Sequence, residues 1–263
     1  MIQNRINQLF EGKKENVLSV YFTAGFPQLN DTRTILKSLQ DAGADLIEIG
    51  IPYSDPIADG STIQESNQKA LENGITLPKI LAQLKSVRSE ISIPLILMGY
   101  INPIMQYGIE KFCQQCEEIG IDGLILPDLP MYVYLNEYKE LFDKHGLHNT
   151  FLITPQTSEE RIQEIDNETN GFIYMVSSAS ITGAKTGISQ EQINYFEKVN
   201  AQKLRNPRLI GFGISDHETF SKASQYAHGA IIGSAFIKLL AAESQEPLAN
   251  RIHKFVREVK GKS

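Results

Sequence analysis

One stretch decides the fold class and contains the strongest candidate site: residues 45–64, which read DLIEIGIPYSDPIADGSTIQ. Its apolar run at 46–50 predicts a short buried strand, and Glu48 lies inside that run. A carboxylate on a buried strand is costly unless it is paired or used in chemistry. A lone acid between two isoleucines has no role in a turn or a helix cap, so we interpret Glu48 as a functional residue.

The loop after this strand is rich in acids, proline and glycine, and it contains Asp55 and Asp59. Enzymes of the α/β class keep catalytic groups at the carboxyl ends of their strands. Turns of this composition are also common before helices, and Asp55 taken alone fits that structural interpretation. Asp59 fits both interpretations, because residues 60–62 lead directly into a helical pattern that its carboxylate would cap.

Short apolar runs recur along the chain, and amphipathic segments separate them. Such runs, each followed by a helix, are typical of parallel strands covered by helices. The predicted strands are residues 17–23, 46–50, 95–98, 123–126, 150–153, 172–176, 209–211 and 230–233. Eight such units predict an α/β fold, a closed (β/α)₈ TIM barrel, with residues 1–263 forming a single domain. An open doubly wound sheet is the alternative, but no G-x-G-x-x-G follows the first strand.

The amphipathic segments predict the helices of this barrel. Beyond the Cys-containing segment 109–119, they cover residues 32–42, 77–87, 132–145, 159–165, 190–199 and 218–226. One more amphipathic segment, residues 2–10, precedes the first strand. We expect it to form an extra N-terminal helix that plugs the bottom of the barrel.

Composition excludes several classes of partner. The net charge is −6, and no run of basic residues is present, which argues against nucleic acid or an anionic membrane surface. The polar N-terminus lacks the apolar core of a signal peptide, and no apolar run approaches the length of a membrane span. We therefore expect a cytoplasmic protein that binds neither membranes nor nucleic acid.

The cysteines and histidines predict no metal site. Cys113 and Cys116 form a C-x-x-C inside the predicted helix 109–119, but no second cysteine pair completes a zinc site. We interpret them as half-buried structural cysteines. The five histidines form no recognisable ligand pair. No cofactor is expected in this chain.

Glycine-rich turns at three strand ends predict a phosphate site. They are the GFGIS at 211–215, the GSA at 233–235 and the SSASITGAKTG at 177–187. Glycines let backbone N–H groups approach an anion, and barrel enzymes usually bind phosphate after strands seven and eight. The predicted strands contain no lysine for a Schiff base, so we expect a small phosphorylated substrate with carboxylates as acid and base.

The wall around this mouth is predicted to be apolar and would suit a flat aromatic group, although a barrel core needs the same residue types. Its predicted members are Phe22, Met98, Ile125, Ile153, Tyr174 and Phe212.

Several motifs, in order along nearly the whole chain, resemble the α subunit of tryptophan synthase. Besides residues 45–64 they are YFTAGFP at 21–27, LPDLP at 126–130, ITGAKTG at 181–187, GFGIS and IIGSA. The resemblance implies a TIM barrel that cleaves indole-3-glycerol phosphate reversibly to indole and glyceraldehyde 3-phosphate, a carbon–carbon lyase of tryptophan biosynthesis. It also implies an αββα heterotetramer with a β subunit that carries pyridoxal phosphate and receives the indole through a tunnel.

The resemblance also assigns roles to individual residues. Glu48 matches a catalytic glutamate that moves protons at the breaking bond, and Asp59 matches a catalytic aspartate that holds the indole N–H. Thr182 matches a loop residue that closes against Asp59. Substrate-lining positions are Phe22 and Tyr174. Phosphate-binding positions are Gly183, Phe212 through its backbone, Gly213, Gly233 and Ser234.

The loop after strand six departs from the family pattern. Ser180 stands where many members have glycine, and Ser178 stands where a basic residue is common. Loop closure and its regulation are therefore expected to differ here. The β subunit is expected to contact the loop after strand two and the segment after strand three, at Pro52, Tyr53, Asp55, Tyr100, Asn102 and Pro103.

Two other functions predict different residues. Another phosphate-binding barrel enzyme would require a lysine or cysteine at a strand end, and the predicted strand ends have none. A barrel that serves only as an activator of its β partner would have no need of Glu48 or Asp59, and the chain has both.

Overall fold

A computed structural model describes residues 4–56, 58–177, 188–211 and 213–261. Within these ranges nine strands form one parallel sheet, in the order β5-β4-β3-β2-β1-β9-β8-β7-β6. The strands are β1 (Val17–Thr23), β2 (Leu46–Gly50), β3 (Leu95–Met98), β4 (Gly123–Ile125), β5 (His148–Thr150), β6 (Leu152–Ile153), β7 (Ile173–Val176), β8 (Arg208–Gly211) and β9 (Gly229–Ile232). With its surrounding helices, this sheet is a nearly closed TIM barrel.

The helices alternate with the strands. Their bounds are α1 (Arg5–Gly12), α2 (Thr32–Ala42), α3 (Ser61–Glu72), α4 (Leu77–Leu84), α5 (Ile101–Tyr107), α6 (Ile109–Ile119), α7 (Met131–Val133), α8 (Lys139–Lys144), α9 (Glu159–Glu168), α10 (Gln190–Ala201), α11 (His217–Ser224), α12 (Ser234–Ala241) and α13 (Leu248–Val259). None of the helices in these ranges combines the length and apolar composition needed to cross a bilayer.

The predicted fifth strand is divided in two. Its first part, β5, pairs with β4, and its second part, β6, pairs with β7. The division falls at Phe151, whose carbonyl accepts a hydrogen bond from the backbone N–H of Tyr174 (3.0 Å). The chain changes partners at this residue, so the ring closes through one continuous segment. The predicted eight-unit barrel is confirmed, with one unit's strand split between its two neighbours.

Some predicted helices are also interrupted. The prediction for 77–87 was too long, because α4 ends at Leu84 and a 3₁₀ turn, Val87–Ser89, follows it. The prediction for 132–145 missed a π turn, Tyr134–Tyr138, between α7 and α8. The amphipathic pattern is the same for these neighbouring helical forms, since each keeps one face toward the barrel.

Alternate strand residues face two separate cores. One set faces the helices, and the other fills the barrel interior, where its members include Val17, Leu46, Ile96, Ile125, Phe172, Tyr174, Val176, Leu209 and Ile231. Ile6 and Phe10 of α1 pack against the interior set. The side chain of Asn4 caps α1 and donates to the backbone carbonyl of Asp122 (2.7 Å), just before β4. The expected N-terminal plug is confirmed.

Candidate active site

Glu48 lies on β2 with its side chain in the barrel interior, and it is fully buried. Its Oε1 accepts a hydrogen bond from the Ser19 hydroxyl at 2.7 Å. Its Oε2 has no partner within the described ranges. Burial raises the pKa of Glu48 to about 7, although the bond from Ser19 opposes that rise. A carboxyl that titrates near neutral pH can both give and take a proton.

Asp59 lies between β2 and α3 and is buried. Its Oδ2 accepts hydrogen bonds from the Tyr100 hydroxyl (3.3 Å) and from Asn67 Nδ2 (3.5 Å). Burial raises the pKa of Asp59, and these two donors limit the rise. Gly60 is the N-cap of α3, and no side chain caps that helix end. The capping interpretation of Asp59 is therefore wrong, and its carboxylate faces the cavity instead.

Tyr21 lies near both carboxyl groups. It pairs in register with Glu48 and lines a small cavity with Asp59, Met98 and Tyr100. Burial raises the pKa of Tyr21, and the charges of Asp59 and Glu48 raise it further. A Cβ on Gly50 would lie 2.6 Å from Tyr21 Cζ, so the tyrosine ring needs a glycine on the next strand.

The expectation that Phe22 lines the site is wrong. Side chains alternate along a strand, and Ser19, whose hydroxyl binds Glu48, shares its side of β1 with Tyr21 and Thr23. Phe22 lies on the opposite side with Leu18 and Val20, toward the helices, and is fully buried there. A shift of one residue exchanges the two faces of a strand.

A second predicted wall residue, Ile153, also lies on the face of its strand that points away from the barrel interior. Ile153 belongs to the core beneath the helices, and its neighbour Leu152 packs against the barrel interior. Ile125 and Met98 face the interior, as expected. Tyr174 is confirmed on the interior side too. Burial raises the pKa of Tyr174, as do the charges of Glu48 and Asp59.

Three of the predicted phosphate positions follow the neighbouring strands β8 and β9. Gly213 has φ +74°, a conformation that favours glycine, and a Cβ there would lie 3.9 Å from Ser177 Oγ. Gly233 is the N-cap of α12, whose first residue is Ser234, and no side chain caps this end. Within the described part of the chain, no side chain accepts a hydrogen bond from its first backbone N–H groups, and such an end suits an anion. Thr182, Gly183 and Phe212, like Ser178 and Ser180, lie outside the described residues.

The cysteines are structural, but they are fully rather than half buried. Both thiols are free, and burial raises the pKa of Cys113 to about 12. No cluster of three or more histidine, cysteine or acidic side chains that suits a metal ion occurs among the residues described.

Sequence reasoning missed two polar residues of the site, Ser19 and Asn67, and it assigned a third, Tyr100, to the β-subunit contact and not to Asp59. Ser19 was the easiest to find, because it is a polar residue at an interior position of an otherwise apolar strand. Asn67 and Tyr100 carried no comparable signal, since their positions depend on how α3 and the segment after β3 pack around Asp59.

Two large apolar side chains are exposed on helices that follow the strands of the sheet. Met105 on α5 is 55% exposed and Tyr132 on α7 is 76% exposed, and both follow the carboxyl ends of adjacent strands. Beside Asp59, the ring centroids of Tyr53 and Tyr100 lie 5.1 Å apart, and Asn102 donates to the Tyr53 hydroxyl at 3.2 Å. Two packed aromatic rings thus connect the outer loops to the Asp59 carboxylate.

Comparisons with known proteins agree on one family. Residues 8–263 match the family model described as tryptophan synthase alpha chain. The tryptophan synthase alpha chain of Flavobacterium psychrophilum is 57% identical over 256 residues, 97% of this chain and 99% of that protein. The same-named protein of Christiangramia forsetii is 55% identical over 257 residues, 98% of each.

Solved structures give the same result. The tryptophan synthase alpha chain of Legionella pneumophila superposes with a TM-score of 0.88 at 32% identity, over 98% of this chain and 97% of that one. The tryptophan synthase complex of Pyrococcus furiosus contains a chain with a TM-score of 0.84 at 35% identity, over 94% of this chain and 99% of that chain.

Proposed function

The chain belongs to the tryptophan synthase alpha chain family, lyases that cleave indole-3-glycerol phosphate, and from that premise we propose which residues carry out the cleavage. Glu48 is the acid and base, and Asp59 is the partner of the indole N–H. The observation that carries this proposal is a pair of buried carboxyl groups around Tyr21, one of them with a pKa raised to about 7.

Glu48 acts twice in one turnover. In its protonated form it donates its proton to C3 of the indole ring, which turns C3 into a carbon that can leave. The carboxylate then accepts the proton of the adjacent glycerol hydroxyl. The bond from C3 to the side chain breaks, its electrons return to the ring, and the aldehyde of glyceraldehyde 3-phosphate forms. The two transfers restore protonated Glu48, and a pKa near the working pH serves both directions.

Asp59 stabilises the positive charge that develops on the ring nitrogen when C3 is protonated. Its role requires the ionised form, and hydrogen bonds from Tyr100 and Asn67 favour that form despite burial. Tyr21, in place of Phe22, and Tyr174 form the wall of the indole pocket.

The phosphate of the substrate binds at Gly213, Gly233 and Ser234, after β8 and at the start of α12. Gly183, the backbone of Phe212 and the closing residue Thr182 stay predictions that rest on the family resemblance.

The partner of this chain is a tryptophan synthase β subunit, as complexes of related proteins from Mycobacterium tuberculosis and Pyrococcus furiosus support. We place its contact on the segments that follow β2, β3 and β4, which carry the bonded pair Tyr53 and Asn102 and the exposed side chains of Met105 and Tyr132. Stacking of Tyr53 on Tyr100 would transmit the partner's state to Asp59. The assembly is an αββα heterotetramer in the cytoplasm, in which pyridoxal phosphate belongs to the β subunit and residues 1–263 form one domain.

The test is indole release from indole-3-glycerol phosphate, with and without a β subunit. Wild type should release indole, faster with the partner. Glu48→Gln should lose activity by about a hundredfold or more, since removal of a general acid-base group costs about 10²- to 10⁴-fold. Glu65→Gln, a change at an exposed glutamate of α3, is the matched control and should retain full activity.

Two outcomes would contradict the proposal. Undiminished indole release by Glu48→Gln would remove the acid-base role from this residue. A wild-type chain that makes no indole yet accelerates the β subunit would be an activator, which is the second function considered from the sequence.

A further inference from the structure

Ser19 is a buried polar residue on β1 with no evident structural task. Its side chain lies in the barrel interior, fully buried, at a position level with Leu46 and Ile231 on the neighbouring strands. Both of those neighbours are apolar. Within the described ranges, the hydrogen bond of the Ser19 hydroxyl runs to Glu48 Oε1, at 2.7 Å.

The two oxygens of Glu48 are therefore not equivalent. Oε1 accepts the hydroxyl proton of Ser19, and Oε2 is buried without a partner in the described part of the chain. A buried oxygen without a partner is costly, and structures retain such atoms where function uses them.

We propose that Ser19 is a positioning residue that assigns the two oxygens of Glu48 different tasks, with Oε1 held by the strand and Oε2 reserved as the atom that carries the catalytic proton. This inference rests on the proposed function of Glu48. It concerns a residue that acts through Glu48 and does not touch the substrate.

The position of the Ser19 proton distinguishes the two oxygens of Glu48. A serine hydroxyl has one proton to donate, and here it points at Oε1. When Glu48 is protonated, the carbonyl oxygen is the better acceptor, so Oε1 is the carbonyl oxygen and the acidic proton resides on Oε2. The same contact holds the carboxyl group in one orientation, so the proton is presented from a fixed point on β2.

The bond also acts on the protonation equilibrium. A donor to the carboxylate stabilises the charged form more than the neutral form, so Ser19 opposes the effect of burial on the pKa of Glu48. Removal of the hydroxyl should raise that pKa further. A serine that merely filled space would leave the pKa unchanged.

The experiment compares wild type, Ser19→Ala and Ser19→Thr in the complex with the β subunit. Only protonated Glu48 starts the reaction, so kcat/KM falls as pH rises through its pKa. In Ser19→Ala this alkaline limb should move up by about one pH unit, and kcat should fall about tenfold with little change in KM. Ser19→Thr keeps the hydroxyl and should restore both. Ser38→Ala, a buried serine on α2, should behave as wild type.

A second measurement does not depend on activity. The ¹³C carboxyl resonance of Glu48, identified by its loss in Glu48→Gln, should titrate at higher pH in Ser19→Ala than in wild type. An unchanged titration, or a Ser19→Ala enzyme that is faster than wild type, would overturn the proposal. If Glu48→Gln retains activity, the proposed function fails, and the resonance still decides whether Ser19 controls the Glu48 carboxyl.

Discussion

Replacement of Glu48 by glutamine should make the stability of the protein less sensitive to pH. The pKa of Glu48 is raised from 4.5 to about 7 because the folded protein buries the carboxyl completely. At a pH between these two values, the Glu48 carboxyl is ionised in the unfolded chain and protonated in the folded chain. Ionisation therefore favours the unfolded state progressively as pH rises, and stability is fully present only below the unfolded pKa.

The size of this effect follows from the separation of the two pKa values. Each unit corresponds to about 1.36 kcal/mol, so the full separation destabilises wild type by about 3 kcal/mol at pH 8.5 but by less than about 1 kcal/mol at pH 5. Glutamine does not ionise. The difference in the free energy of unfolding between Glu48→Gln and wild type should thus shift by about 2 to 3 kcal/mol in favour of the variant over this range.

Urea unfolding at pH 5 and at pH 8.5, followed by circular dichroism because the chain has no tryptophan, measures this difference. Any constant cost of the glutamine amide cancels in the comparison, and so does every other titrating group that the two proteins share. Glu65→Gln on exposed α3 should shift by less than about 0.5 kcal/mol. Parallel pH dependences for wild type and Glu48→Gln would refute the reasoning, because they would mean that Glu48 titrates alike in both states.

Three further predictions concern the surroundings of the site. Tyr100→Phe removes a donor to Asp59, so the pKa of Asp59 should rise and the acidic limb of the kcat/KM profile should move to higher pH; an unmoved limb would exclude the contact. Gly50→Ala should lower kcat/KM by about tenfold or more and lower the urea midpoint of unfolding, because the added methyl group displaces the Tyr21 ring. The double variant with Gly50→Ala and Tyr21→Leu should regain that midpoint, because the smaller leucine leaves room for the methyl group. Both cysteines should resist thiol reagents at pH 8 until urea unfolds the protein, since Cys116 is fully buried and its pKa is raised well above the usual range by that burial; rapid labelling of the native protein would contradict this.

The barrel could be predicted from the sequence because its signal is repetitive. Each unit has an apolar run and an amphipathic helix, so the predicted strand at 150–153 marks one unit even though the structure divides it into β5 and β6. The division depends on which neighbour each half meets, which no local pattern records. Glu48 could be predicted as a site residue because a carboxylate is costly to bury in an apolar strand unless it has a function.

The remainder of the site could not be predicted, because the sequence does not show which alternate residues of each strand face the barrel interior. In the run at 17–23 every side chain is buried, on one face by helices and on the other by the barrel interior. Hydrophobicity therefore cannot distinguish Tyr21 from Phe22, and only the bond between Ser19 and Glu48 shows which residues share the site. Tyr100 and Asn67 reach Asp59 across 41 and 8 positions of the chain, through packing rather than sequence pattern.

The plug at the bottom of the barrel has a consequence for the order of synthesis. Helix α1 is translated before every strand of the sheet, but its hydrogen-bonding partners lie far downstream: Asn4 bonds to carbonyls 118 and 142 positions later, and Asn7 bonds to one 163 positions later. Ile6 and Phe10 therefore cannot complete their apolar contacts until well over half of the chain has been translated. A chain whose synthesis stops before residue 172 lacks Phe172, which packs against Phe10, so the apolar face of α1 stays uncovered on that side.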